Sequence, residues 1–200
     1  GAKMSKVYDR VALVGLGLIA SSIFWASKRN DVSSYITGFA RSKETRDTAK
    51  KIGLCDQVFD TVKEAVKDAD LVILCVPVGA MEQVMLEIAP FLKTGATISD
   101  VGSVKRAVID AVEPHLPTHV KFVPAHPLAG TEHSGPESGF ASLFDNRWCL
   151  LTDHGSADKQ AQNKVMSFWK SLGANVEFMD ADHHDLVLAV TSHAPHLIAY

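Results

Sequence analysis

The most constraining feature of the sequence is a glycine-rich turn near its start. An apolar segment, Arg10–Val14, runs directly into Gly15-Leu-Gly-Leu-Ile-Ala20, and residues 21–29 have helical character. A G-x-G-x-x-A pattern between a strand and a helix is typical of dinucleotide binding. The glycines allow a tight bend and close approach of a pyrophosphate, and the small third residue allows the helix to pack on the strand. The residues predicted to contact the dinucleotide here are Gly15, Gly17, Leu18, Ile19 and Ala20.

The segment after the second predicted strand, Tyr35–Phe39, bears on the choice of dinucleotide. Folds of this type usually carry an acidic residue there that binds the adenosine ribose hydroxyls, whereas this chain has Ala40-Arg41-Ser42. Without that acid a 2′-phosphate meets no like charge, and Arg41 with Ser42 or Lys43 could hold it by charge-assisted hydrogen bonds. We therefore expect Ala40, Arg41 and Ser42 to contact NADP, with NAD or use of both as the alternatives. In the other interpretation Arg41 is a solvated charge or stacks on adenine.

Apolar strands and helices alternate along the first 180 residues. The strand at residues 70–76 is apolar almost throughout, as expected of a parallel strand covered on both faces, and later strands are predicted at 96–99, 121–125, 147–152 and 175–178. This pattern predicts an α/β fold with a doubly wound, Rossmann-type, mainly parallel sheet over residues 1–180. Residues 181–200 are predicted to begin a helical region, and we expect the natural protein to continue beyond Tyr200.

Turns and polar residues follow the ends of two predicted strands. Val76 and Pro77 end one strand, and Asp100 and Gly102 follow the next, so we expect all four near the cofactor. Ser103 comes directly afterwards. It is either only the N-cap of the next helix or a residue whose hydroxyl also points into the cleft.

A histidine follows the next predicted strand, in Ala125-His-Pro-Leu-Ala-Gly-Thr-Glu-His-Ser-Gly135. Pro127 biases His126 toward an extended backbone, and loops at the carboxyl ends of parallel strands are where ligands bind. His126 is therefore a candidate general acid or base. The alternative is a loop histidine with no part in chemistry. A second group, Ser192, His193 and His196, falls within about one helical turn, but no acidic or cysteine partner accompanies it, so we expect no metal site.

Composition excludes several classes of partner. A net charge of −3 and a pI near 6.3 leave no basic stripe for nucleic acid or anionic membrane surfaces. No apolar run reaches the roughly 18–20 residues that span a bilayer. The three cysteines are widely spaced and odd in number, which favours a reducing, cytoplasmic location over a disulfide scaffold.

Four motifs together resemble the prephenate/arogenate dehydrogenase family of tyrosine biosynthesis. They are Gly15–Ile19, Asp100–Lys105, His126–Gly135 and Thr191–Tyr200. The resemblance implies oxidative decarboxylation of prephenate and/or arogenate to 4-hydroxyphenylpyruvate and/or tyrosine with NAD(P). It also implies that residues 181–200 begin an α-helical domain that forms a homodimer and completes the substrate site.

The same resemblance implies roles for individual residues. His126 would engage the ring hydroxyl of the substrate, with Ser103 hydrogen-bonded beside it. The residues that it places around the substrate are Thr131, Glu132, Ser192, His193 and His196. Two features depart from the family pattern: Ala20 replaces the third glycine, and the acidic ribose anchor is missing.

Two other functions remain compatible with the glycine motif. A β-hydroxyacid dehydrogenase or imine reductase would share it and Val76-Pro77, but would normally use a lysine in a downstream helix. A non-catalytic NADP-sensing module would need neither His126 nor Ser103.

Overall fold

The computed structural model describes residues 6–153 and 158–198, and the side chains of residues 191–198 lie outside that description. The strands are β1 (Tyr8–Val14), β2 (Ser33–Phe39), β3 (Gln57–Val58), β4 (Leu71–Leu74), β5 (Thr97–Asp100), β6 (Lys121–Val123), β7 (Ala125–Pro127), β8 (Trp148–Thr152) and β9 (Asn175–Met179). The helices are α1 (Leu18–Asn30), α2 (Lys43–Ile52), α3 (Val62–Val66), α4 (Val78–Ile88), α5 (Lys105–Val112), α6 (Lys159–Ser171) and α7 (Ala181–Ile198). Short 3-10 helices follow α4 and α5 at Ala89–Phe91 and Glu113–His115.

The main sheet has six parallel strands in the order β3-β2-β1-β4-β5-β6. The packing of β1 explains why its second half, residues 11–14, is entirely apolar. Val11 and Leu13 lie in a core cluster with residues of α1 and α6, whereas Ala12 and Val14 lie in a second cluster with residues of α4 and α5. Both faces of the sheet are therefore covered by helices, and the predicted doubly wound, mainly parallel fold is confirmed.

The strand predicted at 121–125 is divided between two sheets. Strand β6 ends at Val123, and after Pro124 the chain enters β7 in a separate sheet of order β7-β8-β9, where β7 is antiparallel to β8. Proline has no N–H with which to continue a ladder. Its carbonyl instead accepts a hydrogen bond from the Thr152 amide, at 2.9 Å. His126 therefore lies inside a strand, opposite Leu150, and its placement in a loop was wrong.

The strand order reverses between β1 and β4, which opens a crevice at their carboxyl ends. Gly15 closes the tight turn after β1 with φ of +99°, and a Cβ there would lie 2.7 Å from the Cys75 carbonyl oxygen and 3.0 Å from Val76 Cγ1. The glycine turn thus packs directly on the exit of β4. Val76 therefore lies beside the glycine turn, and its contact with a cofactor stays a prediction.

The segment between β7 and β8 packs along α1. Gly139 lies so close to this helix that a Cβ would approach Ser21 Oγ to 2.1 Å, and the Phe140 amide donates to Ser22 Oγ at 3.1 Å. At the other end of the helix, the Arg29 guanidinium forms two hydrogen bonds to the Asp145 carboxylate. The loop that follows His126 is therefore fixed to the helix that follows the glycine turn.

Helix α7 docks on the start of α5. The Asp185 carboxylate accepts hydrogen bonds from the Lys105 amide at 2.9 Å and the Arg106 amide at 3.2 Å. No helix in the described part of the chain is both long and apolar enough to cross a membrane.

We expect Gly15→Ala to destabilise the fold by about 2 kcal/mol or more, because a Cβ at positive φ is strained and here also meets a backbone oxygen. Gly17→Ala is the matched control, since a Cβ at Gly17 meets nothing within 4 Å. Gly17 is the N-cap of α1. Its replacement by alanine should lower the free energy of unfolding by less than about 1 kcal/mol, which is the difference between glycine and alanine at an N-cap. Urea unfolding at equal m-values measures both changes, and equal losses would contradict this account of the turn.

Candidate active site

The N-terminus of α1 can receive an anionic ligand. Gly17 is its N-cap, no side chain caps the helix, and its first turn contains no acidic residue. The open space beside Gly17 leaves the first-turn amides and the positive end of the helix dipole accessible. Ala20 is buried against the core, as the small third position of the motif requires. Leu18 and Ile19 also pack partly on that core, so these residues would face a phosphate through their backbone amides.

The segment after β2 presents one unpaired cation. The Arg46 guanidinium donates to the carbonyls of Ala40 and Arg41, both at 2.8 Å, and also pairs with Asp60. Ser42 Oγ caps α2 by accepting the Thr45 amide. Lys43 pairs with Asp47 at 2.8 Å, but no described residue pairs with the exposed guanidinium of Arg41. Arg41 is therefore the side chain of this segment that is free to bind a ligand phosphate.

A buried ion pair ties together β5, α5 and β7. Lys105 Nζ lies 2.5 Å from Asp100 Oδ2 and donates to the Ala125 carbonyl at 2.6 Å, and both charged side chains are fully buried. The amides of Gly102 and Ala125 donate to the two oxygens of the same carboxylate. The Asp100 side chain thus faces the interior. The expectation that Asp100 lies near the cofactor stays a prediction.

His126 is half-buried and directly contacts a second histidine. Its Nδ1 lies 3.0 Å from His184 Nε2, and His184 Nδ1 lies 2.8 Å from Asp185 Oδ1. His184 is completely buried. Burial lowers the pKa of His126 to about 4, with Lys105 and His184 adding to that effect and Asp185 opposing it. His126 is therefore a neutral imidazole near pH 7, as a general base must be.

Ser103 is not the N-cap of α5, which was one of the two roles predicted for it. The N-cap of α5 is Val104, and the capping carboxylate comes from Asp185. Ser103 is exposed and borders a shallow cavity of about 300 Å³ against Asp185 and Leu188 of α7. No hydrogen bond joins Ser103 to His126 among the described residues, and His184 is the Nδ1 partner instead.

Two of the other residues assigned to the substrate lie in the described loop after β7. Thr131 and Glu132 are exposed, and Thr131 Oγ1 accepts the His133 amide in a local turn. Neither side chain contacts His126 within the described ranges. The side chains of Ser192, His193 and His196 lie outside the described residues. Residues 6–153 and 158–190 contain no group of three or more histidine, cysteine or acidic side chains arranged to hold a metal.

Three residues of this site were missed from the sequence: Lys105, His184 and Asp185. Lys105 was named only as the last residue of the motif Asp100–Lys105, although its five-residue separation from Asp100 across a glycine turn allows an ion pair. His184 and Asp185 were assigned only to the start of α7. The adjacent polar side chains in Asp182-His-His-Asp185 were the available signal, but sequence gave no indication of which histidine faces β7.

Comparison with known proteins identifies the family. The family described as prephenate dehydrogenase, nucleotide-binding domain, matches residues 25–178. The chain belongs to the prephenate dehydrogenase family. Its similarity to a cyclohexadienyl dehydrogenase of Zymomonas mobilis reaches 44% identity over 194 residues, which are 97% of this chain and 66% of that protein. A prephenate dehydrogenase of Bacillus subtilis is 36% identical over 200 residues, covering 98% of this chain and 53% of its own length.

A solved family member has the same architecture. Prephenate dehydrogenase from Aquifex aeolicus, in complex with hydroxyphenyl propionate and NAD⁺, superposes with a TM-score of 0.87 at 30% identity. The alignment covers 99% of this chain and 68% of that one. The chain thus spans about half to two thirds of the length of these prephenate and cyclohexadienyl dehydrogenases.

We expect Lys105→Met to destabilise the protein by about 3–5 kcal/mol, because it leaves the Asp100 carboxylate buried without its counter-charge. The double variant Asp100→Asn/Lys105→Met should recover part of that loss, since no charge then remains buried. Lys121→Met is the control: it breaks a half-exposed pair with Asp158 and should cost less than about 1 kcal/mol. Denaturant unfolding of the unmodified protein and the three variants measures these changes in the free energy of unfolding. The prediction fails if Lys105→Met loses no more stability than Lys121→Met.

Proposed function

We propose that this chain forms the nucleotide-binding part of an NAD(P)-dependent dehydrogenase. The enzyme would oxidatively decarboxylate prephenate and/or arogenate to 4-hydroxyphenylpyruvate and/or tyrosine. The observation that carries the proposal is a neutral, half-buried His126 that closely follows the carboxyl end of β6, at the edge of the main sheet where the glycine turn also lies. Membership of the family and the similarity to a cyclohexadienyl dehydrogenase support the substrate class.

The proposed chemistry requires orientation and one base. The substrate is a cyclohexadienol whose ring carbon bearing the hydroxyl loses a hydride, and the nicotinamide supplies the acceptor for it. His126 takes the hydroxyl proton as the carbon–oxygen double bond forms, which contributes about 10²–10⁴ in rate. The ring carboxylate then leaves as carbon dioxide, and its bonding electrons complete an aromatic ring. The proton held by His126 can return to the phenolate oxygen, so the reaction releases no net proton.

We propose NADP as the preferred cofactor, with NAD or both as alternatives. The residues proposed to lie at its binding site are Gly15, Gly17, Leu18, Ile19, Ala20, Ala40, Arg41, Ser42, Val76, Pro77, Asp100 and Gly102. The free guanidinium of Arg41 beside the N-terminus of α2 supports a 2′-phosphate contact. NAD⁺ is the cofactor bound in the Aquifex enzyme, and this keeps NAD as the alternative.

A β-hydroxyacid dehydrogenase or imine reductase would use a lysine in a helix downstream of the glycine motif, and Lys105 of α5 does not fit that role. Lys105 is fully buried, and its Nζ is engaged by Asp100 and the Ala125 carbonyl, so it cannot reach a substrate in the crevice. This burial favours the histidine chemistry.

The proposal extends to a helical domain beginning at α7 that makes a homodimer and completes the substrate site. Thr131, Glu132, Ser192, His193 and His196 would border that site, with Ser103 near it. Leu186 and Val190 of α7 are 63% and 62% exposed, which supports further packing on this helix.

We expect His126→Asn to lower kcat of the full-length enzyme by at least about a hundredfold while leaving the cofactor Kd unchanged, because the base acts only in the chemical step. His119→Asn is the matched control, since this exposed histidine precedes β6 at the opposite edge of the sheet. Steady-state rates and cofactor titration measure both. Near-normal turnover of His126→Asn would remove His126 from the chemistry.

We expect Arg41→Ala to lower kcat/KM for NADP by roughly tenfold or more, mainly through KM, and to change the value for NAD little. Lys43→Ala removes an equal charge two residues away, at the start of α2. That lysine already pairs with Asp47, so kcat/KM for NADP and for NAD should each change by less than about twofold. Assays of both cofactors at fixed moderate salt test this, and an equal effect of the two variants would show that Arg41 is no phosphate ligand.

A further inference from the structure

Two buried or partly buried side chains of α7 lie in a continuous row behind His126. Asp185 Oδ1 lies 2.8 Å from His184 Nδ1, and His184 Nε2 lies 3.0 Å from His126 Nδ1. The two imidazole rings are 5.2 Å apart and inclined at 66°. No described residue forms a hydrogen bond to His126 Nε2, so this atom is the one available to a substrate.

The chemistry of Asp185, His184 and His126 determines which of their side-chain atoms carry protons. The pKa of Asp185 is lowered, because hydrogen bonds from His184 and from the Lys105 and Arg106 amides outweigh the raising effect of burial. As a carboxylate, Asp185 only accepts, so His184 Nδ1 must carry a proton. The Nε2 atom of a neutral His184 then accepts from His126 Nδ1–H. His126 Nε2 is thereby left with its lone pair.

The opposite proton arrangement is disfavoured by burial. For His126 Nδ1 to accept, His184 would have to donate from both nitrogens and carry a positive charge. Its side chain is fully buried, where a charge is costly, and the Asp185 carboxylate is already shared with two backbone amides. The buried ammonium of Lys105 also lies close enough to His126 to disfavour further positive charge there.

We infer that His184 and Asp185 are positioning residues that hold His126 as the Nδ1–H tautomer, with Nε2 directed to accept the substrate's hydroxyl proton. This inference rests on the proposed function, in which His126 is the base. His184 would also accept from the imidazolium that His126 becomes, and Asp185 would balance that charge through His184.

The row gives α7 a defined part in the chemistry. Asp185 caps α5 with the same carboxylate that orients His184, so the docking of α7 on α5 and the orientation of His126 depend on one side chain. A purely structural role for Asp185 would involve only the cap.

The first test reads the tautomer directly in the unmodified protein. Full-length protein labelled with ¹⁵N-histidine should give, for His126 at pH 7, one nitrogen shift of a protonated Nδ1 and one of an unprotonated Nε2. The His126→Asn spectrum assigns these signals by their loss. A protonated Nε2 in the unmodified protein would overturn the inference.

The second test compares two carboxylates on the same helix. Asp185→Asn should lower kcat about tenfold or more, within the about 10²–10⁴ that a general base contributes, with substrate KM and cofactor Kd little changed. It should also shift the His126 ¹⁵N signals toward the Nε2–H form. Asp182→Asn removes an equal charge one turn earlier, where Asp182 pairs with Arg106 on the surface, and should leave kcat and the signals unchanged.

The outcomes separate this inference from the proposed function. If His126→Asn abolishes turnover but Asp185→Asn matches Asp182→Asn in kcat and tautomer, the row is only structural and the inference fails alone. If His126→Asn retains turnover, the assignment of the base fails whatever the tautomer.

Discussion

The buried ion pair between Asp100 and Lys105 holds the site together. It lies where the chain leaves the parallel sheet, and its remaining hydrogen bonds go to the backbone of Gly102 and Ala125, the residue before His126. Two charges withdrawn from water are costly unless their geometry and remaining hydrogen bonds are satisfied. Here every oxygen of the carboxylate has a partner, so the charges fix the backbone on which the proposed base stands. The Lys105 ammonium also lowers the pKa of His126 and so helps to keep that imidazole neutral.

The sequence predicted the sheet well because the signals for it are local. Strands such as β1 and β4 are short apolar runs bounded by turn residues, and a glycine motif between strand and helix determines the order of elements around it. Pro124 was the exception. It was counted within a strand, although its missing N–H ends one ladder and begins another, which moved His126 from a loop into β7.

The site was less predictable because its contacts join distant segments. His126 and His184 are 58 residues apart, and Lys105 and Asp185 are 80 apart. Spacing along one helix indicates which residues share a face, but not which face meets a strand from another part of the chain. Ser103 illustrates the limit. It stands in the usual position for an N-cap, yet a carboxylate from α7 has taken that role, so a local preference gave way to a tertiary contact.

The close fit of Gly139 against Ser21 has a mechanical consequence. Ser21 lies in the first turn of α1, the helix whose amino end would face the pyrophosphate, while Gly139 belongs to the loop that also contains Thr131 and Glu132. Close-packed backbones transmit displacement rather than absorb it. Any axial movement of α1 would therefore be shared by that loop, because the helix after the glycine turn and the segment after β7 are in direct backbone contact.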